Sequence, residues 1–217
     1  MAEKLKKGLF IAFEGPEGCG KSTQARLIAE DLRSNGYEVI LTVEPGGTAL
    51  GEKIRDVLLK KDDVPINGYA ELFLFEADRA QHIQEVIKPA VEEGKIVITD
   101  RFNLATFAYQ GYGLGMDMAI IEKVDAASTG GIAPGMTILL DIDAETGLRR
   151  AGSVGSPDRM EKRSVEFHER VHAGYLTIAK KDPENIKVVK VKDTAGETHG
   201  EIKDLVYDLV ERYKRTE

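Results

Sequence analysis

Cysteine is nearly missing from this 217-residue chain: Cys19 is the only one. A single thiol excludes an internal disulfide and any metal site built on several cysteines, and it fits a reducing compartment. Long apolar runs are lacking too. The lysines Lys4, Lys6 and Lys7 precede a brief apolar stretch that is too short for a secretory signal core or a membrane span. A cytoplasmic protein is therefore expected. Nor is there an excess of positive charge: 30 Lys and Arg stand against 37 Asp and Glu, for a net charge of −7. No bulk basic field draws such a chain to nucleic acid or to an anionic membrane. Internal repeats and low-complexity tracts are absent, and the length suits one sizeable domain, expected over 1–217.

What the chain does contain is Gly15-Pro16-Glu17-Gly18-Cys19-Gly20-Lys21-Ser22, which fits the phosphate-binding pattern G-x-x-x-x-G-K-[ST]. Glycines let the backbone turn tightly enough for successive N–H groups to face one phosphate. Lys21 can reach the β- and γ-phosphates, the Ser22 hydroxyl can ligate Mg²⁺, and the following helix aims its positive end at the same anion. Gly15 through Ser22, with Thr23, are the residues expected to hold ATP. The context agrees, because the apolar run Leu9–Phe13 reads as a strand and Ser22–Asn35, with Ala25, Ile28 and Leu32, as a helix.

The alternation continues. Glu38–Val43 reads as a second strand closed by Glu44-Pro45-Gly46-Gly47-Thr48, then helical patterning over Leu50–Lys60 and a turn near Asp62–Pro65. A long helix is expected over Tyr69–Glu93, kinked or split at Pro89, with Leu72, Phe73 and Leu74 as core residues. Ile96–Thr99 is a third strand ending at Asp100-Arg101, after which Gly111, Gly113 and Gly115 are read as loosening the connection. Helix Met116–Ala127, strand Met136–Ile142 and helix Ala144–Ala151 follow, then an irregular stretch from Gly152 to Pro157, helix Glu161–Lys181, strand Ile186–Val191 and helix Ile202–Arg212. Val- and Ile-rich strands each separated by a helix predict an α/β fold of the P-loop NTPase kind. Its mainly parallel five-stranded sheet would be flanked by helices on both faces, with a short lid at about 151–163. In such sheets ligands bind at the carboxyl ends of the strands, which gathers the phosphate loop, the Glu44–Thr48 turn and Asp100-Arg101 into one crevice. Asp100 there can hold Mg²⁺ directly or through water, and Arg101 offers a planar fork to a second anionic substrate.

Phe13-Glu14-Gly15 before the loop, Glu44-Pro45-Gly46-Gly47-Thr48, Phe75-x-x-x-Arg79, Asp100-Arg101 and Ala108-Tyr109-Gln110-Gly111 together resemble the thymidylate kinase family, from about Leu9 to the last helix. The resemblance implies Mg²⁺-dependent transfer of the ATP γ-phosphoryl group to dTMP, giving ADP and dTDP, by a homodimer. It also implies roles. Glu17 would bond the deoxyribose 3′-hydroxyl, Arg55 and Arg101 would grip the dTMP phosphate, and Phe75 would stack on thymine with Arg79 donating to its carbonyl. Thr106 and Gln110 would lie near the base, Tyr109 under the sugar, Arg150 against adenine, and Glu44 and Pro45 in the substrate wall.

The sequence departs from the family pattern where Val43, Ala105 and Leu114 stand in place of the usual Arg, Ser and Arg. A transition-state arginine is also missing from both its usual places, at Gly18 in the loop and near Gly152 or Val154 in the lid. Arg149, Arg150, Arg159 and Arg163 are the candidates to replace it, and the lid-flanking pair Arg159 and Arg163 is the first expectation. A monophosphate kinase of shifted base specificity and a nucleotide switch without a second substrate remain the alternatives. His168-Glu169-Arg170-Val171-His172 matches H-E-x-x-H, but neither His82 nor His199 completes a distinctive third-ligand pattern, so no zinc site is expected.

Overall fold

The computed structural model describes residues 5–59, 64–153 and 158–215. In chain order its elements are β1 (Leu9–Glu14), α1 (Lys21–Ser34), β2 (Val39–Val43), α2 (Ala49–Leu59) and α3 (Gly68–His82). A π-helical turn over Ile83–Ile87 leads into α4 (Lys88–Glu92), β3 (Ile96–Asp100), α5 (Asn103–Thr106) and a second π segment, Phe107–Gly113. The chain ends with α6 (Met118–Thr129), β4 (Met136–Asp141), α7 (Ala144–Gly152), α8 (Val165–Lys181), β5 (Ile186–Lys190) and α9 (Ala195–Arg215).

The strands form one sheet in the order β2-β3-β1-β4-β5, every neighbouring pair parallel. Both faces are covered, and the central strands β1, β3 and β4 are buried along almost their whole length rather than alternating, whereas the edge strand β5 exposes Val188 and Lys190. Leu9, Ile11 and Phe13 of β1 point into a core shared with Ile28 and Leu32 of α1 and Val206 and Val210 of α9. Phe10 and Ala12, one residue out of step, meet Ile83, Ile87 and Phe102 on the other face. Leu139 of β4 joins a further cluster with Tyr109, Phe167, Val171 and Tyr175.

Register is what builds the crevice. Asp100 lies level with Phe13 on one side and Val43 on the other, so Glu14, Arg101 and Glu44 leave the sheet edge side by side. The ladder carries past the strands: Arg101 N–H donates to Phe13 O at 2.9 Å and Glu44 N–H to Asp100 O at 3.0 Å.

Several sequence-based boundaries are corrected. Helix α8 begins at Val165, not Glu161, because Ser164 caps it by accepting from Phe167 N–H while Asp158 Oδ1 accepts from Met160 and Glu161 in a separate turn. Helix α9 starts at Ala195, seven residues early, closed by a reciprocal box between Thr194 and Glu197 that the two nearby glycines concealed. Helix α6 starts two residues late, where Asp117 accepts from Ala119 N–H. Pro89 does not break its helix, because it follows a π turn in which Lys88 N–H reaches back to Ile83 O. Phe73 is 54% exposed and is no core residue. Gly111 and Gly113 do not loosen anything. Both are buried in the second π segment, where a Cβ would come within 2.5 Å of Met118 and 2.6 Å of Phe167. Lys60 and the first half of the Asp62–Pro65 turn lie outside the described residues, as does the centre of the expected lid, 154–157.

Candidate active site

A cleft of about 500 Å³ opens at the carboxyl ends of β1, β2 and β3. One end is the phosphate loop. Gly15, Gly18 and Gly20 all take positive φ (142°, 65° and 93°), where a side chain would be strained. Gly20 is the N-cap of α1 and has no side chain to occupy the helix's first N–H groups, so they remain available to an anion. Lys21 folds along the loop, donating to the carbonyls of Pro16 at 2.9 Å and Gly15 at 3.1 Å. Glu17, Gly18, Ser22 and Thr23 line the cleft as well, whereas Gly15, Pro16 and Cys19 lie buried beneath it. Burial pushes the Cys19 thiol up, against the pull of Lys21.

Ser22 Oγ donates to Asp100 Oδ2, bringing together the two residues expected to hold Mg²⁺. A hydroxyl and a carboxylate at a phosphate loop fit a hard cation that keeps most of its other positions for phosphate and water. Among the described residues no group of three or more His, Cys, Asp or Glu is arranged to hold a metal by itself.

The floor of the cleft is a set of buried charges. Arg101, the one non-glycine residue described at positive φ (74°), is held on four sides: by Glu17 at 2.9 Å, the Tyr109 and Tyr175 hydroxyls at 3.2 Å each, and Gly15 O at 3.2 Å. Burial alone would raise the Glu17 carboxyl, but Arg101, then Lys21 and the 2.8 Å hydrogen bond from Tyr109, outweigh it and hold it at about 2. Glu14, fully buried, accepts from Phe102 N–H (2.9 Å), Ala105 N–H (3.1 Å) and Tyr175 Oη–H (2.9 Å), fastening the turn that presents Arg101 to the end of β1. Its desolvation pushes its carboxyl up, and Arg101 is the main opposing influence. Glu14 and Tyr175 were missed as site residues. An acid at the end of an otherwise apolar strand was the available signal for Glu14; Tyr175, 74 residues from Arg101, had none.

At the other end, Phe75 is half-buried against the cleft and Arg55, donating to Pro45 O at 2.6 Å, reaches it from α2. Arg79 is 2% exposed yet lines the same wall. Its Nε donates to Glu44 (3.0 Å), Nη1 to Glu76 and to Thr106 Oγ1 (3.0 Å), and Nη2 to Phe102 O (2.9 Å), leaving one N–H of the five without a partner among the described residues. Glu44 lines the cleft and also holds Arg79 and His82, whose Nδ1 is 2.8 Å away. Thr106, Tyr109 and Gln110 complete this end.

The expected lid arginines are not brought to the phosphate loop. Arg159 donates to Glu71 Oε2 (2.6 Å) and Leu58 O (2.6 Å), and Arg163 to the same Glu71 oxygen (2.8 Å) while lying 4.7 Å over the Phe167 ring. Neither lines the cleft; Arg150, exposed at the end of α7, does. The loop cannot carry an arginine of its own, because a Cβ at Gly18 would stand 2.0 Å from Gly147 O. Val43 and Ala105 line the cleft, and Leu114 packs behind it. Of the H-E-x-x-H pair, His172 Nε2 lies 2.7 Å from Asp141, and His168 is buried.

A phosphate loop facing an arginine-lined acceptor wall within one cleft is the geometry of a kinase for a small phosphorylated acceptor. The thymidylate kinase family model matches residues 13–202. The chain is 46% identical over 209 residues to the thymidylate kinase of Maridesulfovibrio salexigens, covering 93% of this chain and 96% of that one. The chain belongs to the thymidylate kinase family. Its reaction is the phosphorylation of dTMP to dTDP, with ATP as the donor that family membership implies. The thymidylate kinase of Deinococcus radiodurans is 42% identical, covering 91% of this kinase and 96% of its own length. The crystal structure of the Ehrlichia chaffeensis thymidylate kinase, 34% identical, superposes with a TM-score of 0.76 over 92% of this chain and 99% of that one. Among the described residues of the kinase no helix is long and apolar enough to cross a membrane.

Proposed function

We propose that this kinase binds ATP on the phosphate loop and dTMP against α2, α3 and the 107–113 segment, with the acceptor phosphate gripped by Arg55 and Arg101. The observation that carries this reading is the acceptor half of the cleft, since Arg55, Phe75, Arg79 and Gln110 line a wall that a nucleotide switch would not need. Phe75 is suited to stack on thymine and the last free N–H of Arg79 to meet its carbonyl. Glu17 and Tyr109 lie near the sugar position, where the ring of Tyr109, 4% exposed, leaves little room beneath a ribose. Arg101 is preorganised by its four partners, so it neutralises the incoming phosphate without rearrangement at the moment of transfer. With the acceptor phosphate neutralised and aligned, its oxygen attacks the γ-phosphorus in line and ADP leaves, and positioning supplies most of the rate.

Lys21 and Arg150 are the cationic groups proposed to meet the charge on the transferring group, Arg150 also lying where it can cover adenine. Ser22 and Asp100 would hold Mg²⁺, which supplies charge neutralisation across the β- and γ-phosphates. The folded chain is read as a single domain, cytoplasmic and homodimeric. Exposed apolar side chains support the dimer: Leu50 and Val57, seven apart on α2, and Tyr69 and Phe73, four apart on the adjacent α3, are each 45–54% exposed.

The test is ADP release from ATP and Mg²⁺ with dTMP, dUMP, UMP, CMP, AMP and GMP offered separately. A rate with dTMP well above the others is expected. An equal or higher rate with another monophosphate would move the specificity to Val43, Ala105 and Leu114, and acceptor-independent hydrolysis would overturn the kinase reading.

A further inference from the structure

Glu71 belongs to none of the expected site residues, yet it is completely buried and fully engaged. Its Oε1 accepts from Gln110 Nε2 at 2.8 Å, while its Oε2 accepts from Arg159 Nη1 at 2.6 Å and from Arg163 Nη2 at 2.8 Å. Two guanidiniums meet one oxygen of this carboxylate, and a carboxylate can only accept. Gln110 must therefore turn its amide nitrogen to Glu71. Its amide oxygen takes no hydrogen bond from any described residue, and the side chain lines the acceptor end of the cleft.

We propose that Glu71 is a specificity-determining positioning residue. It fixes the Gln110 amide so that an acceptor, not a donor, meets the pyrimidine edge, and it thereby selects imide bases against cytosine. The inference rests on the reading that the acceptor base lies between Phe75, Arg79 and Gln110. Thymine and uracil offer a carbonyl at position 4 and an N–H at position 3, which match the remaining N–H of Arg79 and the oxygen of Gln110. Cytosine reverses both, presenting an amino group to the arginine and a lone pair to the amide oxygen. A glutamine on a free rotor would accommodate either edge by flipping, so discrimination requires something to hold it. Arg159 and Arg163 thus act at one remove: they hold the carboxylate that holds the amide.

The experiment compares kcat/KM for dTMP, dUMP and dCMP in the unaltered kinase and in Glu71→Gln, whose amide can donate or accept. The dTMP-to-dCMP ratio should fall by about ten- to a hundred-fold in the variant, the value of one wrong buried polar pairing. The dTMP-to-dUMP ratio should move by less than about three-fold, because those two bases share the edge that the amide reads. A merely structural role for Glu71 would depress all three substrates together and leave the dCMP ratio where it was; that outcome overturns the proposal. Should Glu71→Gln fail to melt cooperatively, the triple variant E71L/R159M/R163M removes the buried ionic group as a unit, which packed cores often tolerate. It should show the same loss of dCMP discrimination, and an unchanged ratio in it refutes the proposal equally. If the unaltered kinase does not prefer dTMP to dCMP, the placement of the base fails and this inference falls with it. If it does prefer dTMP and the variants keep the ratio, only the role of Glu71 is lost.

Discussion

Replacing Gly18 by alanine should damage this kinase out of proportion to the size of one methyl group. Two effects act at that position. The backbone sits at φ 65°, a left-handed conformation that costs a non-glycine residue about 1–2 kcal/mol. The new Cβ would also stand 2.0 Å from Gly147 O and 2.8 Å from Gly147 C, both backbone atoms of α7 that no side-chain rotation can clear. Overpacking of this kind costs roughly 1–3 kcal/mol. The sum, about 2–5 kcal/mol, corresponds to a fall in Tm on the order of 10 °C for a domain of this size. The contact is tight from the other side too, since a Cβ at Gly147 would meet Glu17 O at 2.3 Å. Relief therefore requires α7 to move off the loop, taking Arg150 with it. The expected signature in Gly18→Ala is a lower Tm, a raised KM for ATP and a lowered kcat, with dTMP still giving its usual thermal stabilisation by mass action. A variant melting within 2 °C of the parent with unchanged KM for ATP would refute the packing argument. It would also reopen the question of why the loop carries no arginine.

Two further outcomes follow from the same geometry. Phe75→Ala should raise KM for dTMP by roughly ten- to a hundred-fold, the usual worth of a base–aromatic stack, with steady-state kinetics as the check. Unfolding by urea should register less than about 2 kcal/mol, because the ring is only half-buried and not part of the core. Asp78 gives a pH dependence. Burial, and next the Glu44 carboxylate, push its carboxyl from 3.8 up to about 7, and burial likewise pushes the partly buried Asp125 up to about 6. Between pH 4 and 7 the folded protein thus binds more protons than the unfolded chain at these sites, so their contribution to stability falls as pH rises through that window. Asp78→Asn keeps an oxygen for the Gly46 N–H and has no charge to bury. Urea melts across pH 5–8 should show a flatter profile, with the variant at least as stable as the parent at pH 8. A steeper profile, or a variant weaker at pH 8 by more than about 1 kcal/mol, would count against the assignment. Glu17, held at about 2, loses its contribution only below this window, as pH falls from 4.5 toward 2.

The helical segment from Asn103 to Gly113 was not legible from the chain alone, but the residues Gly15–Ser22, the order of the strands and of most helices, and the three polar strand ends were. Each is a local property: glycine spacing permits a loop conformation, and apolar periodicity declares which faces are covered. Helix ends were legible only in part, because Ser164 and Thr194 act through hydrogen bonds to particular N–H groups and not through periodicity. What only the tertiary structure decided is which charge answers which. Arg159 and Arg163 looked free to serve a phosphate because their partner, Glu71, lies 88 and 92 residues earlier, on α3. Glu44, which lines the cleft, also holds Arg79 and His82, 35 and 38 residues further along the chain. The missing loop arginine became intelligible only once Gly18 was found against the backbone of Gly147. Pairing and close approach are properties of space, and a buried charge must find its partner wherever the fold brings one, however distant in the chain.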